Sequence, residues 1–274
     1  MRNAIRKICM KGLPAILVSA LCFSAAATAA DAEFLYNGDN GPGFWSEVDP
    51  AWAACAGTGA HARQSPVNID HVRPDRSLHA LALQTFPTNV NLFNNGHTIE
   101  QHYEESGSSI DFEGKTYELL QFHFHSLSEH TVDGKHGALE LHAVFQQTGS
   151  DNKLVIGQIF DIGKKPNRFV QTLIDAGLPR KNGDTTVTPA NINLTDALTS
   201  TASYYTYSGS LTTPPCTENV TWIVLAQTSY LSQAQFKSFS GVLGDDFRPL
   251  QELHGRVVRS TGVSTPHDED HDHD

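Results

Sequence analysis

Positive charge is scarce in this chain of 274 residues, where 19 Lys and Arg stand against 30 Asp and Glu. Four of the basic residues, Arg2, Arg6, Lys7 and Lys11, fall in the first eleven positions, so beyond residue 29 only 15 positive groups face 30 negative ones. A surface of that sign repels nucleic acid phosphates and anionic membranes, because binding either depends on Lys and Arg releasing counterions. Neither is expected as a partner. Long apolar runs are also missing. The longest, Leu13 to Phe23, falls short of the roughly 20 residues a permanent membrane anchor needs. Cysteine is rare, with four in all, which excludes a small disulfide-stapled scaffold. No internal repeat and no Pro/Gly/Ser-rich linker interrupts the sequence, so nothing marks a solenoid or a string of modules.

The first segment has the layout of a secretory signal: basic residues, then the Leu13 to Phe23 run, then small residues around Ala27-Thr28-Ala29. Residues 1–30 are therefore expected to be removed near Ala29 or Ala30, leaving an exported, periplasmic or secreted protein. Acylation at Cys22 would need a small residue before it, and Leu21 stands there instead. Cys9 and Cys22 leave with the signal, which isolates Cys55 and Cys216 in an oxidising compartment. One disulfide between them would close a loop of roughly 160 residues and stabilise by about 4–5 kcal/mol in the chain-entropy model. Two separate buried thiols are the alternative.

Much of the remainder alternates with a period of two and is rich in Val, Ile, Thr, Phe and Tyr. Thr116–His125, Ala138–Phe145, Leu154–Ile162, Ala202–Tyr207 and Val220–Gln227 read as strands, with turns at Glu113-Gly114 and Asp133-Gly134. Two short helices are expected, one after Asn167 with Phe169, Val170, Leu173 and Ile174 at helical spacing, one after Ser232 with Phe236 and Phe239. The fold class is α+β and β-dominated, a single domain over residues 31–262. Residues 263–274, with His267 to Asp274 alternating acid and histidine, hold nothing that could be buried. Such a tail is either a solvated terminus or a weak zinc scavenger.

Chemistry concentrates in Gln121-Phe122-His123-Phe124-His125, Ser128-Glu129-His130 and Glu140-Leu141-His142-Ala143-Val144. On a strand, residues two apart share a face, so Gln121, His123 and His125 lie on one side and Phe122 and Phe124 on the other. Glu140, His142 and Val144 repeat the pattern opposite Leu139, Leu141 and Ala143. If the two strands pair antiparallel, three imidazoles converge above the sheet. A His-x-His pair alone is common on solvent-facing strands, but a third imidazole beside an in-phase glutamate makes a metal cup. Three neutral histidines leave one tetrahedral position of Zn²⁺ open, as in catalytic zinc sites. Gln121 and Glu140 are suited to hold the ligand N–H groups.

The chain resembles the α-class carbonic anhydrases, and its secreted bacterial members most closely. Matching blocks run from about Phe34 to Val258: Asn40-Gly41-Pro42, Gln64-Ser65-Pro66-Val67-Asn68-Ile69, Asn94-Asn95-Gly96-His97, Gln121–His125, Ser128–Asp133, Glu140-Leu141-His142, Gly209–Pro215, Val220-Thr221-Trp222 and Arg248-Pro249. The resemblance implies a large, mainly antiparallel twisted sheet of about ten strands with short peripheral helices and zinc at the foot of a conical cleft. It implies zinc ligation by His123, His125 and His142, and reversible hydration of carbon dioxide to bicarbonate. Thr212 would accept a hydrogen bond from the attacking hydroxide and donate one to Glu129, with Thr213 beside it orienting bicarbonate or water. Val144, Val155, Leu211 and Trp222 would form the apolar wall for carbon dioxide. His97 would carry protons out, with Tyr36 and Asn95 holding the intervening water chain. Sulfonamides and anions are the expected inhibitors, weak ester hydrolysis an expected side activity, and a homodimer the assembly suggested by many secreted bacterial relatives.

Some positions depart from the family pattern. After His125 this chain has Ser126-Leu127 where animal members commonly carry tryptophan, and Glu100 stands where an uncharged amide is usual. Glu100 either faces the cleft and favours protonated His97 or points outward into solvent. Two other classes of function compete with catalysis: a non-catalytic binding relative, which should have lost a zinc histidine, and a zinc carrier resting on the tail. Truncation after Thr265 separates the carrier reading from catalysis. An enzyme should keep full carbon dioxide hydration, whereas a carrier should lose most of its zinc capacity in equilibrium dialysis.

Overall fold

A computed structural model describes residues 33–103 and 106–262; the signal segment and the acidic tail lie outside them. Among the described residues, a sheet of 13 strands dominates. Ten of them follow one path: Thr185–Ile192, Thr88–Asn94, Ile99–His102, Lys115–His125, Leu139–Gln147, Lys153–Gly163, Val220–Leu225, Tyr204–Gly209, Arg259–Ser260 and Arg73–Pro74. Neighbours are mostly antiparallel, as expected. The exceptions are Lys153–Gly163, which runs parallel to both Val220–Leu225 and Ser229–Ser232, and Arg259–Ser260, which runs parallel to Arg73–Pro74. A second, three-stranded sheet joins Asn68–Ile69, Thr131–Val132 and Lys135–His136.

The strands form where the period-two pattern places them, with ends shifted by one or two residues. Both expected turns are present, and Glu113-Gly114 and Asp133-Gly134 each place two successive residues at positive φ, between 48° and 74°. That is the turn whose twist suits tight antiparallel strands, and glycine bears its second position without steric cost. Both expected helices form as well. Asn167 caps Arg168–Ala176 by accepting from Val170 N, and Ser232 caps Gln233–Leu243 in a reciprocal capping box with Gln235.

Alternation along the central strands divides the apolar residues into two cores. Phe122, Phe124, Leu139, Leu141 and Ala143 pack on one face with Phe169, Leu173 and Phe239 of the helices. Val144, Val155, Tyr207, Val220 and Trp222 pack on the other. A third cluster joins the Cys55–Cys216 disulfide, which spans 161 positions, to Trp45, Phe34, Tyr36 and Trp52. The single bridge foreseen from the cysteine count is therefore present, and it ties the N-terminal segment to the turn that follows Thr212 and Thr213.

On the second face the register aligns residues of adjacent strands into rows. One row runs Phe93, Glu100, His123, His142, Gly157, Val224. The next runs His102, Gln121, Val144, Val155, Trp222, Tyr207. Gly157 is where the first row makes room: a Cβ there would lie 2.6 Å from Glu140 Oε1. Gly157→Ala should therefore overpack the sheet beneath His142 and cost about 1–3 kcal/mol. Thermal unfolding of the variant should show a Tm several degrees lower; an unchanged Tm would contradict the packing described.

Candidate metal centre

The three histidines meet as the strand pattern requires. His142 stands opposite His123 in the register, and His125 follows two residues along the same strand. Candidate ligand atoms of the three rings all lie within 4.8 Å of one another. Ring centroids are 5.0, 5.3 and 4.7 Å apart for the pairs 123–125, 123–142 and 125–142.

Each ring is held from behind. Gln121 Oε1 lies 2.8 Å from His123 Nδ1, and the main-chain oxygen of Asp246 lies 2.6 Å from His125 Nδ1. Those contacts turn Nε2 of both rings inward, and Nε2 of His125 is buried without a hydrogen-bond partner. Glu140 Oε1 lies 3.1 Å from His142 Nε2, too obliquely for a hydrogen bond. Its carboxylate is instead committed to His130, accepting from His130 N at 2.8 Å and meeting His130 Nδ1 at 2.8 Å. Glu140 was thus foreseen as a direct partner of a ligand, but its strongest contacts run through His130.

Burial pushes His123 well below the ordinary imidazole range, and the neighbouring His125 and His142 push it further. Burial likewise lowers His142, against the opposing charge of Glu140. Burial also acts downward on His125, but Glu129 and Asp246 outweigh it and raise its pKa. Burial acts upward on Glu140, yet His130 and His142 hold its carboxyl well below the usual range. Two rings are thereby kept neutral in the form that can donate a lone pair to a cation, and the third sits between carboxylates.

Glu129 is fully buried behind the cup. Its Oε1 accepts from Arg248 N at 2.8 Å. Its Oε2 has no hydrogen-bond partner and lies 3.6 Å from His125 Nε2 and 3.8 Å from His142 Nδ1. The expected link from Thr212 to this oxygen is therefore not made, because Oε2 turns toward the histidine rings. Arg248, which sequence reasoning noted only as part of a matching block, braces this side. Its guanidinium donates to Gln64 Oε1, Ser65 O and Cys55 O at 2.8 Å, and burial lowers its pKa to about 10.

Above the cup opens a cleft of about 260 Å³. Val144, Val155, Leu211 and Trp222 line it, as do Thr212, Thr213, Tyr36, Asn95, His97 and Glu100. Every residue assigned to the site from sequence therefore reaches the cleft or its ligand shell. His97 stacks on Phe34 with ring centroids 3.8 Å apart and planes 11° apart. Burial lowers its pKa, partly opposed by Glu33. Glu100 does line the cleft, but the expected upward shift of His97 is absent. The Glu100 carboxylate is instead occupied by Asn95 Nδ2 at 2.6 Å and His102 Nε2 at 2.9 Å. The Asn95 amide is spent as well, since its oxygen accepts from His97 N and Thr98 N. The Tyr36 hydroxyl is buried without a partner, and burial with the charges of Glu129 and Asp246 raises its pKa well above that of a free phenol.

Residues missed from sequence are those joined to the site across long stretches of chain. Asp246 reaches His125 over 121 positions, and Phe34 reaches His97 through stacking that no periodicity announces. His130 stood inside a motif already singled out; its spacing of ten from Glu140 was the available signal.

Comparison with known proteins accords with this geometry. Residues 40–262 match the family model for eukaryotic-type carbonic anhydrase. A carbonic anhydrase of Nostoc sp. is 35% identical over 242 residues, covering 86% of this chain and 89% of that protein. A carbonic anhydrase of Neisseria gonorrhoeae is 35% identical over 246 residues, covering 89% and 94%. The solved α-carbonic anhydrase from Thermovibrio ammonificans, in complex with the inhibitor sulfanilamide, superposes with a TM-score of 0.77 at 35% identity, covering 84% of this chain and all of that one. With three imidazoles converging at the foot of the cleft and the family model matched across it, the chain belongs to the carbonic anhydrase family of enzymes.

Proposed function

We propose that the protein catalyses the reversible hydration of carbon dioxide to bicarbonate and a proton at a zinc ion held by His123, His125 and His142. The observation that carries this reading is the convergence of three imidazoles, those of His125 and His142 buried and that of His123 partly so, with candidate ligand atoms within 4.8 Å of one another, beneath an apolar-walled cleft. Donor type also selects the metal. Three imidazoles without a thiolate or an aspartate suit zinc, and the inward atoms left without partners, His125 Nε2 and Glu129 Oε2, are what a cation and its solvent would satisfy. Zinc in such a cup supplies a water acidified to a pKa of about 7, the value established for carbonic anhydrase.

The chain's own residues supply the remainder. Val144, Val155, Leu211 and Trp222 offer the nonpolar gas a surface in which ordered water gains few hydrogen bonds. Thr212, which lines the cleft, accepts from the attacking oxygen; donating in turn to Glu129 requires that carboxylate to turn away from the histidine rings, where Oε2 lies in this structure. That polarity aims a lone pair at the carbon. Thr213 holds the bicarbonate oxygen on the other side. His97 takes the proton released and passes it to buffer, with Tyr36 at the base of the water chain. Sulfonamides are the inhibitors this reading expects, in keeping with the similar Thermovibrio protein, which was solved in complex with the inhibitor sulfanilamide.

Residues 1–30 direct export in this reading. One finding supports it: the disulfide, a bond that persists in oxidising compartments.

Stopped-flow carbon dioxide hydration tests the assignment directly. Activity should appear with zinc, vanish on chelation, return on zinc addition and be blocked by a sulfonamide; a zinc-replete protein without activity would overturn it. Thr212→Ala and Glu129→Gln should each lower kcat/KM by about 100-fold, the scale expected when a reacting group loses its orientation. Retention of full kcat/KM in both would show that the pair plays no part in attack.

A further inference from the structure

Just outside the cleft, behind its lining residue Glu100, stands a further histidine, His102. Glu100 and His102 are two residues apart on the Ile99–His102 strand, so both sit on the face that carries the metal ligands, opposite His123 and Gln121 respectively. Their side chains touch, with Glu100 Oε2 2.9 Å from His102 Nε2. The pair runs outward: the Glu100 side chain is 19% exposed and lines the cleft, whereas the His102 side chain is 47% exposed. The other carboxylate oxygen of Glu100 accepts from Asn95 Nδ2 at 2.6 Å, which fixes the carboxylate between the cleft and His102. Groups facing His102 from the flanking strands, Gln121 in the register and Phe93 through an edge-on ring contact, carry no charge.

We propose that Glu100 and His102 form a second proton exit from the cleft, parallel to His97, in which His102 accepts the proton and Glu100 is its positioning residue. This rests on the carbon dioxide hydration reading given above. Each turnover must deliver one proton to the buffer. In this route an O–H bond of cleft water breaks as an N–H bond forms on the His102 imidazole, through hydrogen-bonded waters, and the imidazolium then hands the proton to a buffer base. No electrons are transferred. The Glu100 carboxylate holds the ring by its 2.9 Å contact with Nε2 and is itself fixed by Asn95 Nδ2. The first route has a handicap that gives the second its use: His97 is stacked flat on Phe34, and burial makes it a weaker base. His102 carries no stacked ring and opens to solvent.

The test uses the zinc-loaded protein in buffers too bulky to enter the cleft, comparing the parent with His97→Ala, His102→Ala and the double variant. His97→Ala should lower kcat and leave a residual turnover that depends on His102. The double variant should fall at least about tenfold below His97→Ala, within the range of a positioned acid–base group, and recover on addition of imidazole. The loss should appear in kcat rather than in kcat/KM, which reports attack and not proton export. A readout that a merely structural role would not move is the split between kcat and kcat/KM: in the His97→Ala background Glu100→Gln should lower kcat and leave kcat/KM in place. An active parent whose double variant matches His97→Ala would overturn the exit alone, as would a kcat indifferent to Glu100→Gln in that background. A parent without zinc-dependent activity would remove the functional reading and the exit with it.

Discussion

The site depends on the register between Lys115–His125 and Leu139–Gln147, which sets His142 opposite His123 and Glu140 opposite His125. Side chains alternate between faces with a period of two, so a slip of one residue would send His142 into the apolar core and bring Leu141 or Ala143 to the cleft. The two cores prevent it. Phe122, Phe124, Leu141 and Ala143 are fully buried against the helices on one face, and reversing them would expose large apolar area while burying unpaired imidazoles. The chemistry of the cleft is therefore fixed by hydrophobic packing on the far side of the same strands.

The same packing explains why the ligands can be buried and still serve a cation. An imidazole deep in a protein loses its charged form first, and burial lowers both His123 and His142. Each back-side contact then decides which nitrogen remains: Gln121 for His123 and the Asp246 carbonyl for His125. The outer supports are braced in turn. Glu140 is held by His130, which lies 2.7 Å from the Tyr207 hydroxyl, and that hydroxyl donates to Ser65. Glu129 is held through Arg248, whose guanidinium is anchored on Gln64, Ser65 and the Cys55 carbonyl. Hydrogen bonds that extend this far behind the ligands keep the cup in shape before any metal arrives.

What could be read from the sequence was whatever repeats at short range. The period-two alternation revealed the central strands and the faces of His123, His125 and His142, and the caps at Asn167 and Ser232 revealed both helices. Family resemblance supplied roles for Thr212, Glu129 and His97 that spacing alone could not. Contacts between distant segments stayed hidden, because no local pattern encodes them. The carbonyl of Asp246 behind His125 and Phe34 against His97 both belong to this class. Glu100 shows the boundary clearly: its sequence position left open whether it faces the cleft or solvent, and its partners prove to be Asn95 and His102 rather than His97. Side-chain rotamers chose between neighbours on the same face, and that choice is made by packing.

The central claim is that the sheet register builds a cup of three imidazoles with one open position. Zinc-edge X-ray absorption of protein truncated after Thr265 and loaded with one equivalent of zinc tests it most directly. The account predicts three imidazole nitrogens and one oxygen at the distances of tetrahedral zinc, about 2.0–2.1 Å for nitrogen, and loss of one imidazole shell in His142→Ala. A spectrum with fewer than three imidazoles, or one unchanged by His142→Ala, would contradict it.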